Sequence, residues 1–130
     1  MLEFYNLGIE EKDLLEMIKT CNEIKELEDE EIISKINLLK DLDCTNKQIR
    51  NILITNPFYL DRIETDIIKL IKTLLELGFK DLNILFDSNP NILNKDSFEI
   101  DNYIEEKISE KSLEEIIDDL DSNPYLFDEI

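Results

Sequence analysis

"LLKDLDCTNKQIRNILITNPFYL" runs from Leu38 to Leu60, and its reading decides the fold. Thr45 stands three residues ahead of Gln48. That is the pattern of a capping box, in which two side chains satisfy backbone N–H groups that the first turn of a helix leaves open. Ile49, Ile52 and Leu53 then recur at three and four, which places them on one helical face. The helix must end at Asn56, because the residue before a proline is pushed out of the helical region. Pro57 suits the first position of a new short turn, and the apolar residues behind it pin that turn to a core.

The device returns along the chain. "LLELGFKDLNILFDSNPNIL" (Leu74–Leu93) lies over the first stretch with a short gap, and "EKSLEEIIDDLDSNPYLF" (Glu110–Phe127) matches from its short helix onward. The three prolines, Pro57, Pro90 and Pro124, are 33 and 34 residues apart, and each follows an asparagine. A period of that length signals stacked helical units. "LGIEEKDLLEMIKT" (Leu7–Thr20) tracks Leu42–Thr55 at an offset of 35. There Asn22 stands where Pro57 stands later, so the first helix is expected to run on toward Leu27. Terminal repeats are commonly atypical.

Between these stops, Ile67, Leu70, Ile71, Leu74 and Leu75 make Thr65–Leu77 one amphipathic helix. Gly78 suits the left-handed position that ends it, and Phe79 the apolar contact just beyond. Ser112 and Glu115 repeat the capping box ahead of Leu113, Ile116, Ile117 and Leu120, which are expected to face inward. The expected fold is all-α, with six to eight short helices and no sheet. It is a small solenoid-like stack of three to four helix-turn-helix-proline units. One domain is expected over residues 1–130, with units near 1–31, 32–66, 67–97 and 98–130.

The pattern "LG", short loop, short apolar helix, "xNPxxL", then a longer amphipathic helix resembles the repeat of the mitochondrial transcription termination factor (mTERF) family. The resemblance is best over residues 38–93. It implies a right-handed stack of helical triplets curved into a crescent, with a basic concave surface that meets nucleic acid.

The charge points elsewhere. Fourteen bases face thirty-two acids, a net charge of −18. Residues 1–31 carry eleven acids and three lysines, and residues 98–130 carry twelve acids and two lysines. The middle of the chain is balanced, with five against five over 32–66 and four against four over 67–97. A surface that served only solubility would not need that asymmetry. "ELEDEE" (Glu26–Glu31) suits the positive N-terminal end of the next helix.

Catalytic and metal motifs are weak. Histidine is absent, which removes the commonest general base and metal ligand. No phosphate-binding glycine loop or nucleophile motif occurs. "DDLDSN" (Asp118–Asn123) opens like a calcium loop, but Pro124 and Ile130 occupy the positions that need glycine and glutamate. Cys21 and Cys44 read as buried reduced thiols. Tyr59 and Tyr125 are expected to pack with their hydroxyls at the rim. With no signal peptide and no apolar run of membrane-spanning length, a reducing, soluble, cytoplasmic protein is expected, with no membrane contact, no cofactor and no enzymatic activity.

These features predict a non-catalytic acidic binding protein that engages a basic protein partner. Its sharpest form is a DNA mimic of the kind a phage or mobile element encodes. The candidate partner-binding residues are Glu114, Glu115, Asp118, Asp119 and Asp121, forced onto the outer arc of one short helix. No nucleic-acid partner is expected. One alternative is an mTERF-type nucleic-acid module using Lys35, Lys40, Lys47, Arg50, Arg62, Lys69 and Lys72 of the balanced middle. Another is an interaction domain that binds through an apolar concave face.

Replacing either cap tests the register of the repeats. Thr45→Ala and Ser112→Ala are each expected to cost on the order of 1 kcal/mol, the usual loss of an N-cap. Denaturant midpoints unchanged in both variants would remove the assignments.

Overall fold

The computed structural model describes residues 2–130. Among the described residues there are eight α-helices, four 3-10 turns and no strand. The chain groups into two compact units, the first ending at Arg62 and the second running from Ile63 to Ile130. Each unit holds two repeats of the order helix, helix, 3-10 turn. The first contains α1 (Leu2–Asn6), α2 (Glu11–Thr20), the turn Asn22–Glu26, α3 (Asp29–Asp41), α4 (Asn46–Thr55) and the turn Pro57–Asp61. The second contains α5 (Glu64–Leu77), α6 (Leu82–Ser88), the turn Pro90–Asn94, α7 (Ser97–Lys107), α8 (Leu113–Ser122) and the turn Pro124–Glu129.

Two backbone devices recur. The first closes the leading helix of a repeat with a left-handed residue. Gly78 has φ 113°, and Gly8 (φ 84°) and Asp43 (φ 67°) hold the same place at intervals of 35 residues. At each, the next N–H reaches back to a helical carbonyl: Ile9 to Phe4 at 3.0 Å, Cys44 to Leu39 at 3.1 Å and Phe79 to Leu74 at 3.1 Å. Ile9, Cys44 and Phe79 are all buried, which supplies the apolar contact of this helix end. The fourth repeat departs from the pattern, since α7 ends at Ile108 in the right-handed region.

The second device breaks the short helix. Asn56, Asn89 and Asn123 sit at φ between −132° and −143°, each preceding a proline that opens a 3-10 turn. Cys21 adopts the same geometry at φ −131° with no proline behind it. So α2 stops at Thr20 and does not run on toward Leu27. The Cys21 N–H closes on the Met17 carbonyl at 2.8 Å, and the next turn buries Ile24 completely. Burial of that side chain outweighs the local freedom to stay helical.

The caps hold in detail. Thr45 Oγ1 accepts from the Gln48 N–H at 3.1 Å, and the Gln48 side chain accepts from the Thr45 N–H at 2.9 Å. Ser112 Oγ accepts from the Glu115 N–H at 3.2 Å. The return arm of that box differs: the Glu115 carboxylate takes the Ser112 hydroxyl at 3.2 Å, because a rotatable O–H competes with the backbone donor. In α7 the Asp96 N–H donates to the Glu99 carboxylate at 3.1 Å, a box that the sequence pattern did not single out.

Inward positions mostly agree with the periodicity. Leu75 and Leu113 are exceptions, 47% and 37% exposed at the edges of their stripes. Tyr59 also differs from expectation. It is fully buried, and its hydroxyl donates to the Lys35 carbonyl at 2.7 Å, while Lys35 Nζ donates to the Leu60 carbonyl at 2.9 Å. Each buried polar group there has a partner, which is what allows both to leave water. Tyr125 lies exposed, with more than its hydroxyl in water. Cys21 and Cys44 are free and buried. Among the described residues no helix is long and apolar enough to cross a membrane.

Asp43 carries a side chain where its counterparts are glycines, and a β-branched residue fits such a backbone worst. Asp43→Val is expected to lose on the order of 1–2 kcal/mol, the cost of the left-handed region, while Asp43→Gly stays close to wild type. Equal denaturant midpoints for the two variants would contradict the repeated left-handed position.

Candidate interaction surface

Helix α8 reads Leu-Glu-Glu-Ile-Ile-Asp-Asp-Leu-Asp-Ser. Ile116, Ile117 and Leu120 are buried, and at about 100° per residue they occupy one side. The five acids therefore spread over roughly 160° of the other side. All five are exposed. Ser112 holds the start of the helix, and the turn Pro124–Glu129 packs against it.

The five do not have the same surroundings. Glu115 is engaged with the Ser112 hydroxyl, and Asp119 is hydrogen-bonded to Lys111 Nζ. That bond, with the charge of Asp119, pushes the Lys111 ammonium above its ordinary range. Glu114, Asp118 and Asp121 form a separate stripe at i, i+4 and i+7. Among the described residues no hydrogen bond or ion pair reaches the carboxylates of these three. The structure thus divides the candidate set into two engaged acids and three whose charge is unneutralised.

A neighbouring feature escaped the sequence analysis. Helix α7 packs against α8, and Glu99, Asn102, Tyr103 and Glu106 lie at i, i+3, i+4 and i+7 along it. With Glu129 and Ile130 they line an open groove of about 230 Å³. Three carboxylates and an aromatic ring suit a cationic side chain. Lys107 already places its ammonium 5.7 Å from the Tyr103 ring centre. The helical spacing was visible in the sequence, but nothing there brings Glu129 to the same groove from thirty residues away.

At the other end of the chain, Asp29, Glu30 and Glu31 occupy the first turn of α3. All three are exposed, where negative charge meets the positive end of the helix.

The basic set is less available than its sequence suggests. Lys35 is buried and committed to the Leu60 carbonyl, so it cannot meet a phosphate. Arg50 rests over the backbone of Gly8, where an added Cβ would stand 2.8 Å from its guanidinium. Lys69 shares a small cleft with Asp66 and Asp96. Lys40, Lys47 and Lys72 are exposed.

The family model described as mTERF matches residues 1–115 of this chain. No curated protein and no solved structure matches. The matched region ends in the first turn of α8, so Asp118, Asp119 and Asp121 lie beyond it.

Proposed function

We propose that this chain, which belongs to the mTERF family of helical-repeat proteins, is a non-catalytic binding protein that engages a basic protein surface through the acidic side of α7 and α8. The observation that carries this reading is the stripe Glu114, Asp118 and Asp121, whose charges have no partner among the described residues. Like charges crowded on one helix work against the fold by self-repulsion. Together with the carboxylate groove on α7 that contains Tyr103, the stripe fits a surface that meets cationic side chains.

The sharper form of the proposal is a DNA mimic. On α8 the three carboxylates succeed one another at about 5 Å along the axis, from a rise of about 1.5 Å per residue. One DNA strand carries a charge every ~3.4 Å. The helix is sparser than a strand but of the same scale, and Glu115 and Asp119 add to the field. A protein that grips phosphates would meet a comparable pattern here.

Membership of the mTERF family favours a second reading, in which the balanced middle binds nucleic acid. Burial of Lys35 takes one of seven bases out of that set. Fold membership alone does not assign the ligand.

The experiment begins with a partner captured from the native host and released by a salt gradient. Reversing Glu114, Asp118 and Asp121 to lysine is expected to slow its association by about tenfold or more, the scale of electrostatic steering. Reversing Asp41 and Glu76, exposed acids of the balanced middle, is expected to leave the rate within about twofold. Both sets should keep the fold, because four of the five sites lie away from a helix N-terminus. Equal effects on the on-rate would reduce the α8 acids to a solvated surface.

A further inference from the structure

The geometry points to a divalent-cation site of mixed sulfur and carboxylate donors, formed by Cys21, Glu23 and Asp61, that joins the first repeat to the second. The turn Asn22–Glu26 packs against the turn Pro57–Asp61. This brings the Cys21 sulfur and one oxygen from each carboxylate within 4.8 Å of one another. Donor atoms bound at about 2.0–2.3 Å to one zinc ion stand somewhat closer than that, so a small closing movement completes three positions of a tetrahedron.

The last two repeats show one use of this place. Asn89 breaks α6 as Cys21 breaks α2. Its amide donates twice to the last turn of the chain, to the Pro124 carbonyl at 3.1 Å and to Asp128 Oδ1 at 3.0 Å. Asp61 lies four residues after Pro57, as Asp128 lies four residues after Pro124. Where the last two repeats set an amide against an aspartate, the first two set a thiol. A thiol has one weak proton, and Cys21 donates it to Glu23 at 3.5 Å. Among the described residues no hydrogen bond or ion pair reaches the Asp61 carboxylate.

So two exposed carboxylates and the sulfur of a buried cysteine converge on one point. A dication there would offset the facing charges of Glu23 and Asp61. The sulfur–metal bond forms as the S–H bond breaks, and the proton leaves to solvent. Three anionic ligands around a charge of plus two leave a net charge of minus one. Sulfur with carboxylate oxygen selects a borderline metal such as zinc over calcium or magnesium, which take oxygen alone. Glu23 and Asp61 are exposed, which leaves a way in for the ion. This site is independent of the acidic side of α7 and α8.

Cobalt(II) is the spectroscopic probe and zinc the calorimetric one, each titrated into the reduced full-length chain. Cobalt is expected to raise a thiolate-to-metal charge-transfer band that saturates at one equivalent and is displaced by zinc. Zinc binding measured in two buffers of different ionisation enthalpy is expected to release about one proton. Cys44→Ser should keep the band and Cys21→Ser abolish it. Asp61→Asn, a change at an exposed side chain that leaves the core intact, should weaken zinc by at least about tenfold, the smaller end of what even outer partners of a metal contribute. No band, or a band retained in Cys21→Ser, overturns the site. So does zinc affinity equal in wild type and Asp61→Asn, which would mean diffuse attraction to an acidic surface.

Discussion

Each repeat turns on one residue that cannot stay helical. Asn56, Asn89 and Asn123, and Cys21 in the first repeat, hold nearly the same extended backbone geometry at the end of a short helix. That break lets a 3-10 turn fold back and bury Ile24, Tyr59 and Leu60, Ile92 and Leu93, or Phe127. Within each compact unit, the break in the leading repeat also aims its side chain at the turn of the repeat that follows. Asn89 uses its amide to hold that turn, and Cys21 brings a thiol to the equivalent place. Burial of a polar side chain is offset when its hydrogen bonds are made, so Asn89 both ends a helix and fastens a repeat.

Much of this was legible in the residues. Proline lacks an N–H and constrains the residue before it, so the three later breaks could be placed from sequence. The break at Cys21 could not, because tertiary burial causes it. Gly78 announced a left-handed helix end, whereas Asp43 adopts the same conformation behind an ordinary side chain. Tyr59 and Lys35 are twenty-four residues apart, and only the packed fold shows that each satisfies the other's segment. The acidic arc of α8 came from helical periodicity. Its division did not, since it depends on Lys111 turning back to Asp119 and on the Ser112 hydroxyl choosing a carboxylate.

Family and charge pull in different directions here. The helical repeat is that of mTERF proteins over residues 1–115. The net charge of −18 repels phosphate at long range, and one lysine of the balanced middle is spent inside the core. A repeat scaffold is a stack of similar surfaces, and changing the charge of its outward residues changes its partner without changing its folding. We therefore assign the scaffold to the family and propose a different class of partner for the acidic surface.

The most direct measurement is fluorescence anisotropy of a labelled short DNA duplex titrated with the full chain at physiological salt, repeated with an RNA duplex. The account predicts no rise with either, because the unneutralised acids outweigh the exposed bases. A salt-sensitive rise that disappears in the Lys47→Glu, Arg50→Glu double variant would contradict it and make the basic middle the binding surface.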